Sequence, residues 1–163
     1  MTIYVGLDNT SNSESVGTAK FARRVAKKIS DKYPIYGVSR HQFYVHPEIE
    51  YSTYNFGAVI YLDCDEEVVD DIFWTIKGIM DIEYNIGSNP GLAVAHENQI
   101  SPAVINYGQD AKKSSLTQKR AVELAINSNI RLEGFGKTEN GVIGAVAGIG
   151  LAATKNDGRF LQI

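Results

Sequence analysis

The sequence predicts an α+β fold, in which a ferredoxin-like βαββαβ core is followed by a helical, glycine-rich C-terminal extension. Short apolar runs flanked by turn-forming residues recur along residues 1–97, which is typical of strands. Two segments between those runs carry apolar residues every three to four positions, as helices packed on a sheet do. We therefore expect one domain over residues 1–163, with a ferredoxin-like half over 1–97 and a helical half over 98–163.

The composition indicates a soluble globular protein. A chain of 163 residues, 44% hydrophobic and 21% charged, can bury a core without disulfides or metal. The net charge of -3 leaves no basic footprint for nucleic acid. The single cysteine, Cys64, excludes an internal disulfide framework and a cysteine-rich zinc site, so we expect a structural thiol and a cytoplasmic location. No secretion signal or membrane-spanning apolar run is found, so no membrane partner is expected.

The first half alternates extended and helical patterns. An apolar strand over residues 3–7 is followed by an amphipathic helix over 14–29. After Pro34 come extended segments at 36–39, 42–45 and 57–62, bounded by turn formers. A second helix over 66–80 begins with acidic residues, which complement its dipole, and a buried strand follows at 92–95. This order, β, α, β, β, α, β, predicts the ferredoxin-like half.

The second half is mostly helical in pattern. Ser101 and Pro102 are typical of an N-cap and first turn, and predict a helix to about Gly108. Ser115 and Gln118 fit a capping box that opens the next helix. A short strand is expected at 132–135 and a last one at 159–163, after the turn at 157–158.

A polar loop after the first strand is the first candidate site. Residues 3–20 run from an apolar strand into Asp8, then through a stretch of hydroxyl and amide side chains to the start of a helix. The helix N-terminus favours an anion and the carboxylate can hold a cation, so the corner suits a phosphate with a divalent metal. The alternative is a loop that merely turns the chain.

The glycine-rich stretch at 140–150 is the second candidate. Gly144 and Gly148 lie four positions apart, so one helix face has almost no side-chain bulk. The face either packs tightly on the sheet or, with Lys137 upstream, presents its start near Gly141 to an anion, and the two roles are compatible. The nearby Gly-Lys-Thr at 136–138 does not make a P-loop, because Arg131 stands where that motif needs glycine.

Other catalytic chemistries lack support in the sequence. His41, His46 and His96 show no metal-ligand spacing, and we expect them at the surface or the edge of the core. No Gly-x-Ser-x-Gly elbow occurs, so a triad hydrolase is not expected.

Four collinear motifs, at residues 5–18, 47–58, 89–91 and 141–150, resemble those of the kinase domain of the archaeal isoleucine tRNA agmatinylcytidine synthetase, and the resemblance covers nearly the whole chain. The first, Val5-Gly6-Leu7-Asp8-Asn9-Thr10 followed by Gly17-Thr18, is similar to the family signature VGIDDTDS…T. The others are Pro47-x-Ile49-x-Tyr51-x-Thr53-x-x-x-Gly57-Ala58, Asn89-Pro90-Gly91, and the run from Gly141 to Gly150.

The resemblance implies an ATP and Mg²⁺ site. The family domain phosphorylates itself on a threonine and activates a cytidine ring oxygen, which agmatine then displaces. By resemblance, Asp8 is the metal-binding first aspartate and Thr18 the phosphorylated threonine, and these two are the candidate catalytic residues. The candidate cofactor-binding residues are Asn9, Thr10, Ser13, Gly57, Asn89, Gly91, Lys137, Gly141 and Gly144.

The departures from the family pattern leave two functions open. Asn9 and Ser11 stand where the family has aspartates, so the loop lacks two of three carboxylates. The first hypothesis is a stand-alone, nucleotide-binding relative that transfers phosphate to an unknown small molecule or protein partner. The alternative is a non-catalytic binding or subunit module that has lost part of the metal site. A split synthetase subunit ranks last. We do not expect the isolated, acidic chain to bind tRNA well, and a homodimer is possible because such sheets often pair across an edge or face.

Overall fold

A computed structural model describes residues 1–8, 17–44, 56–83 and 87–161 of the chain. These ranges form a mixed α/β structure with a six-stranded antiparallel sheet and five α-helices. In chain order the elements are β1 (Thr2–Asp8), α1 (Thr18–Ile29), β2 (Ile35–Gln42), β3 (Phe56–Asp63), α2 (Val69–Glu83), β4 (Gly91–His96), α3 (Pro102–Ala111), α4 (Gln118–Ser128), β5 (Arg131–Gly134), α5 (Gly141–Ala153) and β6 (Arg159–Leu161).

The strand order across the sheet is β5-β4-β1-β3-β2-β6. The central strand β1 therefore has β3 on one side and β4 on the other, both antiparallel to it. The two short strands from the second half of the chain, β5 and β6, add to opposite edges of the sheet. Both halves of the sequence thus contribute to one sheet.

The helices form a layer on each face of the sheet. Alternate side chains of β1, including Val5 and Leu7, join α1 and α2 in one buried cluster. Tyr4 joins α3, α4 and α5 in a second cluster on the other face. Strands covered on both faces are buried throughout, as the burial of every residue of β4 illustrates. None of the helices in the described ranges combines the length and apolar character that crossing a membrane requires.

The expected elements are observed, with three differences in detail. Segments 36–39 and 42–45 belong to one strand as far as Gln42, because pairing with β3 continues through Arg40 and His41. The expected capping box at Ser115 is wrong, since Thr117 is the N-cap of α4 and its side chain accepts a hydrogen bond from the Arg120 N–H at 3.2 Å. The helix expected to begin near residue 14 begins at Thr18, and Gly17 is its N-cap.

The expectation that the histidines lie at the surface or core edge is wrong for His41 and His96, which are 0% exposed. His41 Nδ1 lies 2.9 Å from Asp157 Oδ1, and its Nε2 lies 2.6 Å from Ser39 Oγ. His96 Nδ1 accepts a hydrogen bond from the Asn98 N–H at 3.1 Å. These partners offset the cost of burying the His41 imidazole, whereas Nε2 of His96 is buried with no hydrogen-bond partner among the described residues. His46 lies outside the described residues.

Helix α5 approaches the sheet at backbone distance. A β carbon added to Gly6 would lie 2.1 Å from the Ala145 carbonyl oxygen, so the two backbones are in direct contact there. The same helix contacts α3 closely, since a β carbon on Gly150 would lie 2.3 Å from the Val104 carbonyl oxygen. The side-chain-free face predicted from the glycine-rich stretch therefore has a packing role.

We expect Gly6→Ala to destabilise the protein by about 2 kcal/mol or more, because the added methyl group overlaps the backbone of α5. Gly78→Ala is the matched control. Gly78 lies in α2 with no atom within 4 Å of an added β carbon, and alanine there should stabilise the helix by up to about 1 kcal/mol. Urea unfolding of the two variants measures both effects. Equal stabilities would contradict the close approach of α5 to β1.

We also expect acid to destabilise the protein below about pH 6.5. Burial lowers the pKa of His41 despite the neighbouring Asp157. As the pH falls through the ordinary histidine range, the unfolded chain therefore binds a proton that the folded protein does not, and stability decreases. His41→Gln should flatten the slope of unfolding free energy against pH between about pH 7.5 and 5.5. An unchanged slope would assign the pH dependence to other groups.

Candidate functional site

Asp8 ends β1 between two glycines on the neighbouring strands. In the sheet register it pairs with Gly57 of β3 and Gly91 of β4. Leu7 points into the cluster beneath α1 and α2, so strand alternation directs the Asp8 side chain to the opposite face, towards α5. Neither of these two paired residues places a side chain beside the carboxylate.

The start of α5 lies directly against Asp8. A β carbon on Gly144 would lie 1.7 Å from Asp8 Oδ2, and one on Gly141 would lie 2.6 Å from the Asp8 carbonyl oxygen. Gly91 contacts the same turn, since its added β carbon would lie 2.2 Å from the Gly141 carbonyl carbon. Any larger residue at these positions would displace the helix or the carboxylate. The structure thus brings together five of the predicted site residues, Asp8, Gly57, Gly91, Gly141 and Gly144.

Asn89 positions the loop that enters α5. Its carbonyl accepts a hydrogen bond from the Gly141 N–H at 2.8 Å, and its side-chain oxygen accepts one from the Thr138 N–H at 3.0 Å. Next to it, the Pro90 carbonyl accepts a hydrogen bond from the Phe135 N–H at 2.8 Å. Lys137 is exposed within this loop, in a turn and not at a helix start. The loop therefore presents a cation at the surface beside the strand ends.

The first N–H groups of α5 already have partners in the chain. Those of Gly141, Val142 and Ile143 donate to the carbonyls of Asn89, Glu139 and Asn140 at 2.8–3.2 Å. An anion near the helix start would therefore gain mainly from the helix dipole, not from three free donors. Asp8 itself places a negative charge at this end of α5.

Tyr107 of α3 is a neighbour of this corner that the sequence analysis missed. The side chain is fully buried, and its hydroxyl donates to the Ile143 carbonyl at 3.3 Å. Burial strongly raises the pKa of Tyr107, and the negative charge of Asp8 acts in the same direction. The Arg120 guanidinium carbon lies 5.2 Å from the Tyr107 ring centre. The only sequence signal was the place of Tyr107 on the apolar side of its helix.

The remaining predicted residues divide into two groups. Thr18 is the first residue of α1 and is 4% exposed, in the layer on the other face of the sheet from α5. Asn9, Thr10 and Ser13 lie outside the described residues, as does the motif from Pro47 to Thr53. Gly57 lies opposite Asp8 in the sheet. A β carbon added to Gly57 would lie 3.0 Å from the Phe43 ring, and this close packing accounts for the glycine.

A metal centre built by the described residues alone is not found. Within the described ranges, no three histidine, cysteine, aspartate or glutamate side chains are grouped so that they could hold an ion. A cation at Asp8 would need ligands from the substrate, from water or from residues outside the described ranges. Mg²⁺ accepts such a ligand set, because it often keeps several waters and uses phosphate oxygens.

No protein-family model matches this chain, and no curated protein matches it in sequence. Solved structures of TiaS, an isoleucine tRNA agmatidine synthetase, share its fold. The TiaS complex with tRNA and ATP has a TM-score of 0.77 and 22% identity over 92% of this chain. The complex with tRNA, AMPCPP and agmatine has a TM-score of 0.76 and 20% identity over 91% of this chain. The apo enzyme has a TM-score of 0.69 and 22% identity over 92% of this chain.

The chain spans about a third of each of those synthetase chains, 35% of the apo enzyme and 36% of each complex. At these identities the similarity establishes a shared fold. It agrees with the resemblance that the four sequence motifs indicate.

We expect Gly144→Ala to destabilise the protein by about 1–3 kcal/mol, because the new methyl group overlaps the Asp8 carboxylate. Gly148→Ala, in the same helix, is the control, since its added carbon meets only the end of the Val59 side chain at 3.1 Å. Adding Asp8→Gly to Gly144→Ala should recover much of the loss, as contacting residues are not additive. Additive losses in the double variant would show that the methyl group meets something other than Asp8.

Proposed function

We propose that this chain is a nucleotide-binding domain that resembles the kinase domain of the isoleucine tRNA agmatidine synthetase and binds Mg-ATP beside Asp8. The observation that carries the proposal is the meeting of Asp8, Gly91 and the first turn of α5 at one corner of the sheet. The Asn89-Pro90-Gly91 motif and the glycine-rich motif, far apart in sequence, adjoin there. The ATP complex of a protein with the same fold supports the ligand class. We also interpret β1 to β4 with α1 and α2 as the ferredoxin-like core.

In this proposal Asp8 is the residue that holds Mg²⁺. A single carboxylate, with neutral oxygens from the residues that follow it in the sequence, suits an ion whose remaining ligands are water and phosphate oxygens. The ion would neutralise phosphate charge, which is its usual contribution to phosphoryl transfer. The protein itself holds the Asp8 carboxylate in position. The close contact with Gly144 leaves that carboxylate little room to move.

The other predicted residues take supporting roles in the proposal. Lys137, exposed in the loop before α5, would attract the phosphates, and Asn89 would hold that loop in place. Asn9, Thr10 and Ser13 would complete the phosphate site. Thr18 is the proposed phosphate acceptor and would need to become accessible, because it is 4% exposed at the start of α1.

The alternative is a non-catalytic binding module. The carboxylate at the end of β1 is followed by Asn9 and Ser11 instead of further aspartates, which favours this alternative. In either case we propose that the partners other than nucleotide are a small molecule or a protein. We also propose that this acidic chain, with a pI near 5.6, does not bind tRNA well by itself. A homodimer remains part of the proposal.

Mg-ATP should raise the melting temperature by roughly 3–5 °C at concentrations well above its dissociation constant. Asp8→Asn should remove most of this rise, because it removes the charge proposed to hold the metal. Asp63→Asn is the matched control, since Asp63 pairs with Thr2 at the other end of β1 and should leave the rise unchanged. No shift at millimolar Mg-ATP would refute nucleotide binding.

Phosphorylation of Thr18 separates the two functions. After incubation with Mg-ATP, we expect mass spectrometry to find one added phosphate on the peptide that contains Thr18, and none in Thr18→Val. A melting-temperature rise without phosphate on Thr18 would support the binding module instead. Asp8→Asn should prevent the modification in the catalytic case.

A further inference from the structure

A cavity lies at the other end of β1 from Asp8. It has a volume of about 410 Å³ and is lined by residues that include Thr2 and Tyr4 at the beginning of β1 and Ala152 near the end of α5. Asp8 and Gly141 mark the other ends of those two elements. The cavity is therefore separate from the proposed nucleotide corner, and its size suits a small molecule.

Four of the ten residues that line this cavity are aromatic, and polar residues such as Asn156 and Asp157 line the rest of it. Tyr61 makes an edge-to-face contact with Tyr4 at a ring distance of 5.4 Å, and a tilted contact with Phe160 at 5.1 Å. Tyr36 and Phe160 also line the cavity and are 59% and 66% exposed. Exposed rings grouped around a concave surface offer stacking and edge contacts to another ring.

A chain of polar groups runs from the exposed Lys112, through interior groups, to Tyr61. Lys112 Nζ lies 2.8 Å from Asp157 Oδ2, and Asp157 Oδ1 lies 2.9 Å from His41 Nδ1. His41 Nε2 lies 2.6 Å from Ser39 Oγ, which lies 2.7 Å from the Tyr61 hydroxyl. Ser39 and His41 are 1% and 0% exposed. These groups connect β2, β3, α3 and the turn before β6.

The chemistry of these groups fixes the direction of every hydrogen bond. Lys112 and His41 hold the pKa of Asp157 below its usual range, so Asp157 is a carboxylate and only accepts. Burial lowers the pKa of His41, so at neutral pH its one proton is on Nδ1 and is donated to Asp157. His41 Nε2 then accepts from Ser39, and Ser39 accepts from Tyr61.

Tyr61 consequently has no donor left for a ligand. Its only hydroxyl proton goes to Ser39, and burial raises its pKa to about 12, so the hydroxyl stays protonated. Its oxygen can still accept a hydrogen bond. Because a hydroxyl that donates becomes a better acceptor, the chain strengthens Tyr61 in that capacity.

We propose that this cavity is a binding site for a planar heteroaromatic ring that carries an N–H or amino donor. The aromatic residues would contact the faces and edges of the ring, and the Tyr61 oxygen would accept the hydrogen bond from its donor. A ring that presents only acceptors there would leave the Tyr61 oxygen unpaired. The site rests on its own geometry and does not depend on the proposed Mg-ATP site.

The test uses two small ring probes of the same shape. Indole has a ring N–H, and benzofuran has an oxygen in its place. In protein-observed NMR titrations we expect indole at millimolar concentration to shift the signals of Tyr61 and Phe160, and to bind about fivefold more tightly than benzofuran, the value of one hydrogen bond. Absence of binding, equal affinity for the two probes, or shifts elsewhere would overturn the proposal.

Variants assign the two contributions. Tyr61→Phe should abolish the preference for indole over benzofuran while retaining ring binding. Phe160→Ala should lower the affinity for both probes by a similar factor. Trp74→Ala, on the exposed surface of α2, is the control and should change neither affinity. A preference that survives Tyr61→Phe would assign the acceptor to another group and refute the role of Tyr61. If Tyr61→Phe fails to fold, the comparison of the two probes in the unchanged protein still decides the proposal.

Discussion

The approach of α5 to the sheet at backbone distance is the constraint on which the rest of the structure depends. Gly6, Gly91, Gly141 and Gly144 each lie where an added β carbon would overlap another part of the chain. The helix can therefore lie over β1 and β4 without intervening side chains. This closeness brings its first turn against Asp8, so the same packing that closes the core also builds the candidate site.

The sheet has a different chemical character at each end of β1 and α5. At the carboxyl end of β1, small residues and one carboxylate surround the start of a helix, an arrangement that suits a charged ligand with a metal ion. At the other end, four aromatic residues line a cavity, and the Tyr61 hydroxyl can only accept a hydrogen bond from a ligand there. Between these two ends, helix layers cover both faces of the sheet.

The polar chain from Lys112 to Tyr61, buried at His41 and Ser39, helps to hold β6 against the sheet. Strand β6 has three residues within the described part of the chain, and a short edge strand gains little from its own backbone hydrogen bonds. Asp157, just before it, is 15% exposed and bonds both His41 and Lys112. Removing one member of such a chain would leave buried polar groups unsatisfied, which costs more than the lost hydrogen bond itself.

The sequence by itself determined the elements and their order, because apolar periodicity and turn residues are local properties. It also pointed to Asp8 and Gly144, since a carboxylate at a strand end and glycines four apart in a helix are visible without coordinates, whereas Asn89 and Gly91 came from the family resemblance. Their role in a site stays a prediction. The shared fold of the synthetase structures agrees with the resemblance drawn from these motifs.

Only the tertiary structure decided which of these residues meet. It placed Thr18 and α5 on opposite faces of the sheet, supplied Tyr107 beside Asp8, and buried His41 against Asp157, 116 positions away. It also showed that the first backbone N–H groups of α5 already donate hydrogen bonds to carbonyl groups of the chain. The physical reason is that burial, pKa and hydrogen-bond partners depend on contacts between segments far apart in the chain, whereas helix and strand patterns depend on near neighbours.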